Sequence, residues 1–303
     1  MPEIAAPAAR AHSLRGVGFL LAAFLMFALL DVSSKYLSRF YPIPGLVWAR
    51  YSVHLLLMLI LFGPRMRLDL VYSKRPRLQI VRGLLLLVTT SLFMTAIKYM
   101  PLAEASAIAF SSPLLLAILS GPLLGERTSR AVWIAVGLGL TGVFIILRPG
   151  GGLLTWAAVL PVAMAFTNSF YHILTRKLAA QENPATSLFY TALAGTVVMS
   201  AALPFAWVPP ANLAHAAMIV GLGILGGGGH YLLFHALRRT QPSVLGPFSY
   251  VHLIWVGALG YLVFDEFPDR WALAGMGVIV ASGIYVAFSE HARLRKRADH
   301  SSA

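Results

Sequence analysis

Long apolar runs, each closed by proline, glycine or charge, recur along the chain at a near-constant interval. They predict helices at 16–36, 44–62, 80–97, 102–122, 130–147, 152–174, 184–206, 214–236, 243–263 and 270–288. At about 1.5 Å of rise per residue, roughly 20 apolar residues cross the ~30 Å hydrocarbon layer of a bilayer. No long linker or low-complexity stretch separates the runs. The pattern predicts an all-α polytopic membrane protein with ten transmembrane helices.

Composition agrees with the pattern. Of 303 residues, 58% are hydrophobic and 12% charged, with a mean hydropathy of +0.75. A soluble domain carries about a quarter charged residues, and one core could not hide this much apolar side chain. The lipid bilayer is therefore the expected partner. The net charge of +13 would also suit a nucleic-acid binder. Here, however, the basic residues lie in short clusters between apolar runs, the distribution of topology charges, so nucleic acid is excluded as a partner. No cysteine is present, which excludes disulfides, thiolate metal sites and a cysteine nucleophile. No metal or cofactor motif appears. Arg10 and Arg15 precede the first run, but that run is longer than a signal-peptide core and carries Asp31 and Lys35 near its far end. It reads as an uncleaved first span.

Charge also orients the chain. With the N-terminus cytoplasmic, 17 of the 24 Lys and Arg fall in inside segments, against four outside (Arg39, Lys98, Arg148, Arg270) and three within or at the edge of spans (Lys35, Arg50, Arg82). Such a bias supports ten spans in a cell (inner) membrane with both termini cytoplasmic. The expected organisation is a tail at 1–15, five-helix repeats at 16–147 and 152–288, and a basic tail at 289–303.

The two repeats are visible as internal similarity. An offset of 137 places Asp31-Val-Ser-Ser-Lys35-Tyr-Leu-Ser-Arg39 over Asn168-Ser-Phe-Tyr-His172-Ile-Leu-Thr-Arg176. An offset of 140 pairs Pro44 with Pro184, Glu126 with Glu266, Arg130 with Arg270 and Gly137 with Gly277, and lays Thr89-Thr90-Ser91 over Gly229-His230-Tyr231. Because each half has five spans, an odd number, the second must enter the membrane inverted. Inverted repeats are an architecture of secondary transporters, whose site lies at the repeat interface near the midplane.

Several motifs carry a resemblance. They are Ala96-Ile-Lys-Tyr-Met-Pro101-Leu-Ala-Glu104-Ala, Ser111-Ser112-Pro113-Leu-Leu, Gly125-Glu126-Arg127 and Gly137-Leu-Gly139-Leu-Thr-Gly142-Val, with weaker echoes at Ala236-Leu-Arg-Arg-Thr-Gln-Pro242, Asp265-Glu266 and Gly275-Met-Gly277. In order and spacing these resemble the EamA-domain proteins of the drug/metabolite transporter superfamily. The resemblance implies an inverted five-plus-five fold with a cavity lined mainly by spans 1, 3, 4, 6, 8 and 9, and with spans 5 and 10 peripheral. Phe27-Ala-Leu-Leu-Asp31 with Lys35-Tyr-Leu, and Trp48-Ala-Arg50-Tyr51, look like a proteobacterial branch that includes riboflavin and S-adenosylmethionine importers. Pro113 has no counterpart at Leu253, and Pro247 lies nearer the start of its span, so the second half need not break where the first does.

Candidate site residues follow from the cost of polarity at membrane depth. Asp31 and Lys35 are one turn apart, either a self-neutralising pair at a span end or parts of a gate or cavity. Their repeat mates Asn168 and His172 favour the second reading. Arg50 and Arg82 lie near span starts, where snorkelling is expected; Arg50, deeper and beside Trp48 and Tyr51, is also a candidate for an anionic substrate group. Glu104 begins the fourth span and is expected to cap it, with proton coupling as the other role. His54 and His252 fall near the middle of spans 2 and 9. They read as packing residues or as proton carriers, and His252 is preferred because its span is expected to line the cavity. His230 follows Gly226-Gly-Gly-Gly229 and, with Thr90, is a cavity candidate. Ser111 and Ser112 precede Pro113, which frees backbone carbonyls that need polar partners. Tyr171, Tyr231, Phe248, Tyr250 and Trp255 would stack on a planar substrate. Glu126 and Glu266 read as caps of the spans that follow them.

A membrane-embedded enzyme would need a metal or nucleophile motif such as His-Glu-x-x-His or Gly-x-Ser-x-Gly, and none is present. A sensor normally carries a soluble domain, and a channel repeats in parallel around its pore. Secondary transport of a small organic molecule remains, without a cofactor and with protons as the candidate coupling ion. A second copy of the chain is a candidate partner. The substrates considered are a vitamin such as riboflavin or a nucleoside-like compound taken up, or amino acids, metabolites or drugs exported.

Overall fold

A computed structural model describes residues 5–125, 130–148, 156–179, 181–240, 245 and 247–301. Eleven α-helices, and no strand, occur among them: α1 (Ala5–Leu37), α2 (Ile43–Met66), α3 (Pro76–Tyr99), α4 (Leu102–Ala109), α5 (Ser112–Leu124), α6 (Arg130–Leu147), α7 (Val159–Ala179), α8 (Pro184–Ala206), α9 (Leu213–Arg239), α10 (Val251–Phe264) and α11 (Arg270–Ser301). Proline stands in the first turn of α2, α3 and α8, where its fixed φ and missing N–H cost nothing. Asn183 and Asn212 cap α8 and α9 by accepting from the amides of Ala185 and His215.

Eight helices are long and apolar enough to cross a membrane, counting Leu102–Leu123 as one, and Phe248–Phe264 and Arg270–Val286 are shorter apolar helices. They match the ten expected spans in order. The expected starts at 152 and 243 lie outside the described residues; within them, span 6 opens with the 3₁₀ turn Trp156–Ala158 and span 9 with Pro247–Tyr250.

The fourth span is two helices, α4 and α5, parted at Phe110–Ser111 just ahead of Pro113. The ninth lacks that proline, and its 3₁₀ turn Pro247–Tyr250 passes into α10 at Val251, 139 residues after α5 begins at Ser112. The fourth and ninth spans both end on a left-handed residue, Gly125 (φ 72°) and Asp265 (φ 57°), 140 apart. Asp is among the few residues that accept this conformation, and here it turns the chain back over the bundle.

Helix pairing follows the repeat. α1 packs on α9 as α7 packs on α3; α2 on α9 as α8 on α3; and α1 on α10 as α7 on α4 and α5. The pairs α2·α8, α6·α11 and α4·α10 are their own mates. Registers reveal direction. Gly16 meets Thr240 while Phe27 meets Gly229, so α1 and α9 are antiparallel. Arg50 and Val53 meet Gly223 while His54 meets Gly227, so α2 and α9 are parallel. Such senses are what ten alternating spans require.

The α6·α11 seam is the tightest backbone approach. A Cβ at Gly142 would lie 2.8 Å from the Gly275 carbonyl, and one at Gly275 would lie 2.6 Å from that of Gly142. Small residues at such crossings let dispersion act where lipid removes the hydrophobic drive. Leu56, Leu59, Ile60 and Leu61 of α2 and Ile134 and Phe144 of α6 face outward, and hydrocarbon is their natural cover.

Candidate functional site

One end of the bundle is bridged by ion pairs between the halves. Lys35, in the last turn of α1 and 5% exposed, donates to the Met100 carbonyl at 2.7 Å and pairs with Glu266 at 2.8 Å. The same Glu266 oxygen accepts from the Leu102 amide, so this carboxylate satisfies the start of α4. The side chains of Lys35 and Arg39 both lie over the Phe264 ring, at 5.3 and 5.0 Å. Farther out, Arg148 pairs with Asp269, whose Oδ1 accepts from the amides of Trp271 and Ala272 at the start of α11. Those amide bonds, with Arg148, hold the Asp269 carboxyl below its usual range.

Two expectations change here. Asp31 and Lys35 do not neutralise each other; each takes a partner from the other half. Glu266 does not cap the helix after it, since Asp269 does that. Its mate Glu126 lies outside the described residues. Glu104 is buried in the first turn of α4 within electrostatic reach of Lys35 and Glu266, and its Oε2 has no partner among the described residues.

The Asp31 partner is His252. Nε2 of His252 lies 3.3 Å from Oδ2 of Asp31, and Nδ1 lies 3.3 Å from the Phe24 carbonyl. A carbonyl only accepts, so Nδ1 carries hydrogen. The Nε2–Oδ2 contact then needs one more proton, carried by the ring or by the acid. The imidazole is stacked on Phe110 (5.6 Å, 24°) and tilted against Phe24 (5.7 Å). Two residues singled out separately, 221 positions apart, thus form one unit.

Deeper in the seam, α2, α3, α7 and α9 converge. Arg82 is 3% exposed and does not snorkel. It donates to Thr175 Oγ1 (2.7 Å), the Ser187 carbonyl (3.0 Å), Thr191 Oγ1 (2.9 Å) and the Tyr171 hydroxyl (2.7 Å), tying α3 to α7 and α8. Tyr171 is therefore held under the guanidinium rather than free to stack. Thr90 is engaged by the Tyr51 hydroxyl at 2.9 Å. Arg50, Asn168, His172 and His230 differ: each is half-buried, and no hydrogen-bond acceptor or donor reaches its side chain among the described residues. His230 sits edge-on to Phe27 at 5.1 Å, within electrostatic reach of Arg50, His54, Arg82 and His172. The Arg50 guanidinium also departs from expectation, because it reaches forward to Gly226 rather than back to the rim.

At the α4–α5 break, Ser111 and Ser112 donate to the carbonyls of Ile108 and Ala109, and Ser169 donates to the Ser112 carbonyl. The hydroxyls thus answer carbonyls near the break. The aromatic expectation shifts likewise. Tyr250 packs its ring on Phe110 and lodges its hydroxyl in the notch at Gly283. Tyr231 and Phe248 are 41% and 44% exposed, and the buried Trp255 Nε1 has no partner among the described residues. The aromatic faces around the two seam histidines belong to Phe24, Phe27 and Phe110. Lone phenylalanines in apolar runs carry no sequence signal of such a role; spacing to Asp31 was the available clue.

Among the described residues no group of three or more His, Asp or Glu could hold a metal ion.

Comparison with known proteins follows the same lines. The chain is 27% identical over 285 residues to an S-adenosylmethionine uptake transporter of Rickettsia bellii, covering 93% of this chain and 96% of that protein. It is 27% identical to a riboflavin transporter of Vibrio cholerae (94% and 97% covered) and 26% identical to a pseudopaline exporter of Pseudomonas aeruginosa (89% and 94%). A solved crystal structure superposes with a TM-score of 0.63 at 20% identity, covering 91% of this chain and 96% of that one, which shows a shared fold. The model of the EamA-like transporter family matches twice, at residues 14–148 and 155–288. This multi-pass membrane protein belongs to the EamA-like transporter family.

Proposed function

We propose that the chain takes up a small organic metabolite across the inner membrane by alternating access, driven by protons, with the solute held between Arg50, Asn168, His172 and His230. The observation that carries this reading is that set of half-buried polar side chains, without a hydrogen-bond partner among the described residues, at the seam of two inverted repeats. A polar group at membrane depth with no protein partner is costly unless a cavity or ligand serves it. Phe24, Phe27 and Phe110 suit a planar ring, as in a flavin or an adenosyl group. Relatives at this distance include uptake transporters for riboflavin and S-adenosylmethionine. The pseudopaline exporter favours a second reading, export on the same scaffold. The organisation proposed is repeats at 16–147 and 152–288 between cytoplasmic tails.

Asp31 and His252 are the proposed coupling pair, because their contact holds one exchangeable proton. The charged or titratable groups around them are Lys35 one turn along α1, Glu266 and Glu104 beyond Lys35, and His230 across Phe27. Proteoliposomes with an imposed pH gradient, given labelled riboflavin, S-adenosylmethionine and nucleosides, test the reading. Asp31→Asn and His252→Ala are expected to retain membrane insertion and exchange but lose proton-driven accumulation. Accumulation at the wild-type level in both would refute the coupling assignment, and transport of no solute in either direction would refute the function.

A further inference from the structure

Arg50 is placed where a purely structural arginine is not. It is the eighth residue of α2 and half-buried. A snorkelling side chain would run back toward Ile43. Instead the Arg50 backbone meets Gly223, whereas its guanidinium lies one turn farther along parallel α9, with Nε and Nη2 at 3.1 and 3.6 Å from the Cβ position of Gly226. The next residue repeats the arrangement: the Cβ position of Gly227 lies 3.4 Å from Nε2 of His54. Adjacent glycines thus cradle an arginine fork and an imidazole, and any side chain there would displace them.

Among the described residues neither the Arg50 guanidinium nor His54 Nε2 has a hydrogen-bond or ion-pair partner. His54 is 5% exposed and its Nε2 makes no hydrogen bond among the described residues. Four described acidic side chains are engaged elsewhere, Asp31 by His252, Glu266 by Lys35, Asp269 by Arg148 and Glu182 by Ser73 and the Arg75 amide, while Asp69 and Asp265 lie in the turns that follow α2 and α10. Glu104 sits at the Lys35 end. Among the described residues the Tyr51 ring, 5.8 Å away, is what answers the Arg50 charge. A guanidinium matches the planar geometry of a carboxylate or phosphate, and stays charged at any pH the protein meets.

We propose that Arg50, with His54 Nε2 beside it, is the subsite for an anionic group, carboxylate or phosphate, on the transported solute. The inference rests on the transport reading above and narrows its substrate to an acid. A lipid phosphate offers the same chemistry, but this guanidinium points inward from the rim.

The test uses the full chain in lipid-depleted detergent, with benzoate, phenyl phosphate and neutral benzamide as probes and thermal unfolding as the readout. Benzoate or phenyl phosphate is expected to raise the unfolding temperature of wild type with benzamide inert. Arg50→Gln should weaken that anion about ten- to hundredfold, the scale of a lost charge-assisted hydrogen bond. Arg50→Lys should fall between, and serves if the glutamine variant does not fold. Equal stabilisation by benzamide, undiminished affinity in Arg50→Gln and Arg50→Lys, stabilisation by added phosphatidylglycerol alone, or no stabilisation by either anion would each overturn the proposal. Transport indifferent to Arg50→Gln and to esterification of the solute would sink this inference while leaving transport standing. Failure of all transport with anion binding intact would do the reverse.

Discussion

Replacing Glu266 by Gln removes the charge opposite Lys35 while keeping the shape of the clasp that joins the halves. Lys35 would remain 6% exposed in its side chain, with the Met100 carbonyl as its surviving partner. Breaking a buried pair by removing one member costs about 3–5 kcal/mol, most of it the stranded charge. The Glu266 side chain is 26% exposed, and screening there lowers the figure to about 2–3 kcal/mol. If the clasp holds that end shut, the variant shifts the closed-to-open balance by about 30- to 150-fold. The absence of cysteine makes the assay direct: Asn168→Cys becomes the sole thiol, and a membrane-impermeant maleimide is added from the Lys35 side. Its alkylation rate is expected to rise by that factor in Glu266→Gln. An unchanged rate, or an equal rise from the opposite side, would refute the gate.

Arg82→Lys keeps the charge but not the fork that serves Thr175, Ser187, Thr191 and Tyr171 together. A loss of about 3 kcal/mol is expected, seen as a lower unfolding temperature in detergent, whereas a neutral result would mean that solvent or lipid already serves this arginine. Asp269→Ala should cost at most about 1 kcal/mol, since the capped carboxylate is half-exposed. Its carboxyl is depressed below the ordinary 3.8, so its stabilisation is full above that value and disappears as pH falls through the folded value. Melting curves of wild type and Asp269→Ala should therefore converge on acidification and stay apart at neutral pH.

How much of this was legible beforehand differs between fold and site. Spans, their order and the repeat follow from apolar run length and from offsets such as Pro44 to Pro184, because lipid demands a self-satisfied helix wherever the chain crosses. The start of α10 was not legible. Pro113 announces the parting of the fourth span, but Leu253 stands at its counterpart, and Pro247 heads a 3₁₀ turn instead. Asp31, His252 and Lys35 stood out as charges at depth, whereas their pairing did not.

The amino-acid order alone determined that this is a membrane protein of ten spans in two related halves, since hydrocarbon tolerates little other than apolar helices, and chain periodicity records where they lie. Only tertiary structure decided which charges meet. A neighbour one turn away, as Asp31 is to Lys35, offers about 0.5 kcal/mol on an exposed helix, whereas a desolvated ammonium needs a carboxylate at contact and takes it from Glu266, 231 residues away. The direction of the Arg50 side chain was decided the same way, by Gly226 on a helix from the other half, which leaves room for it.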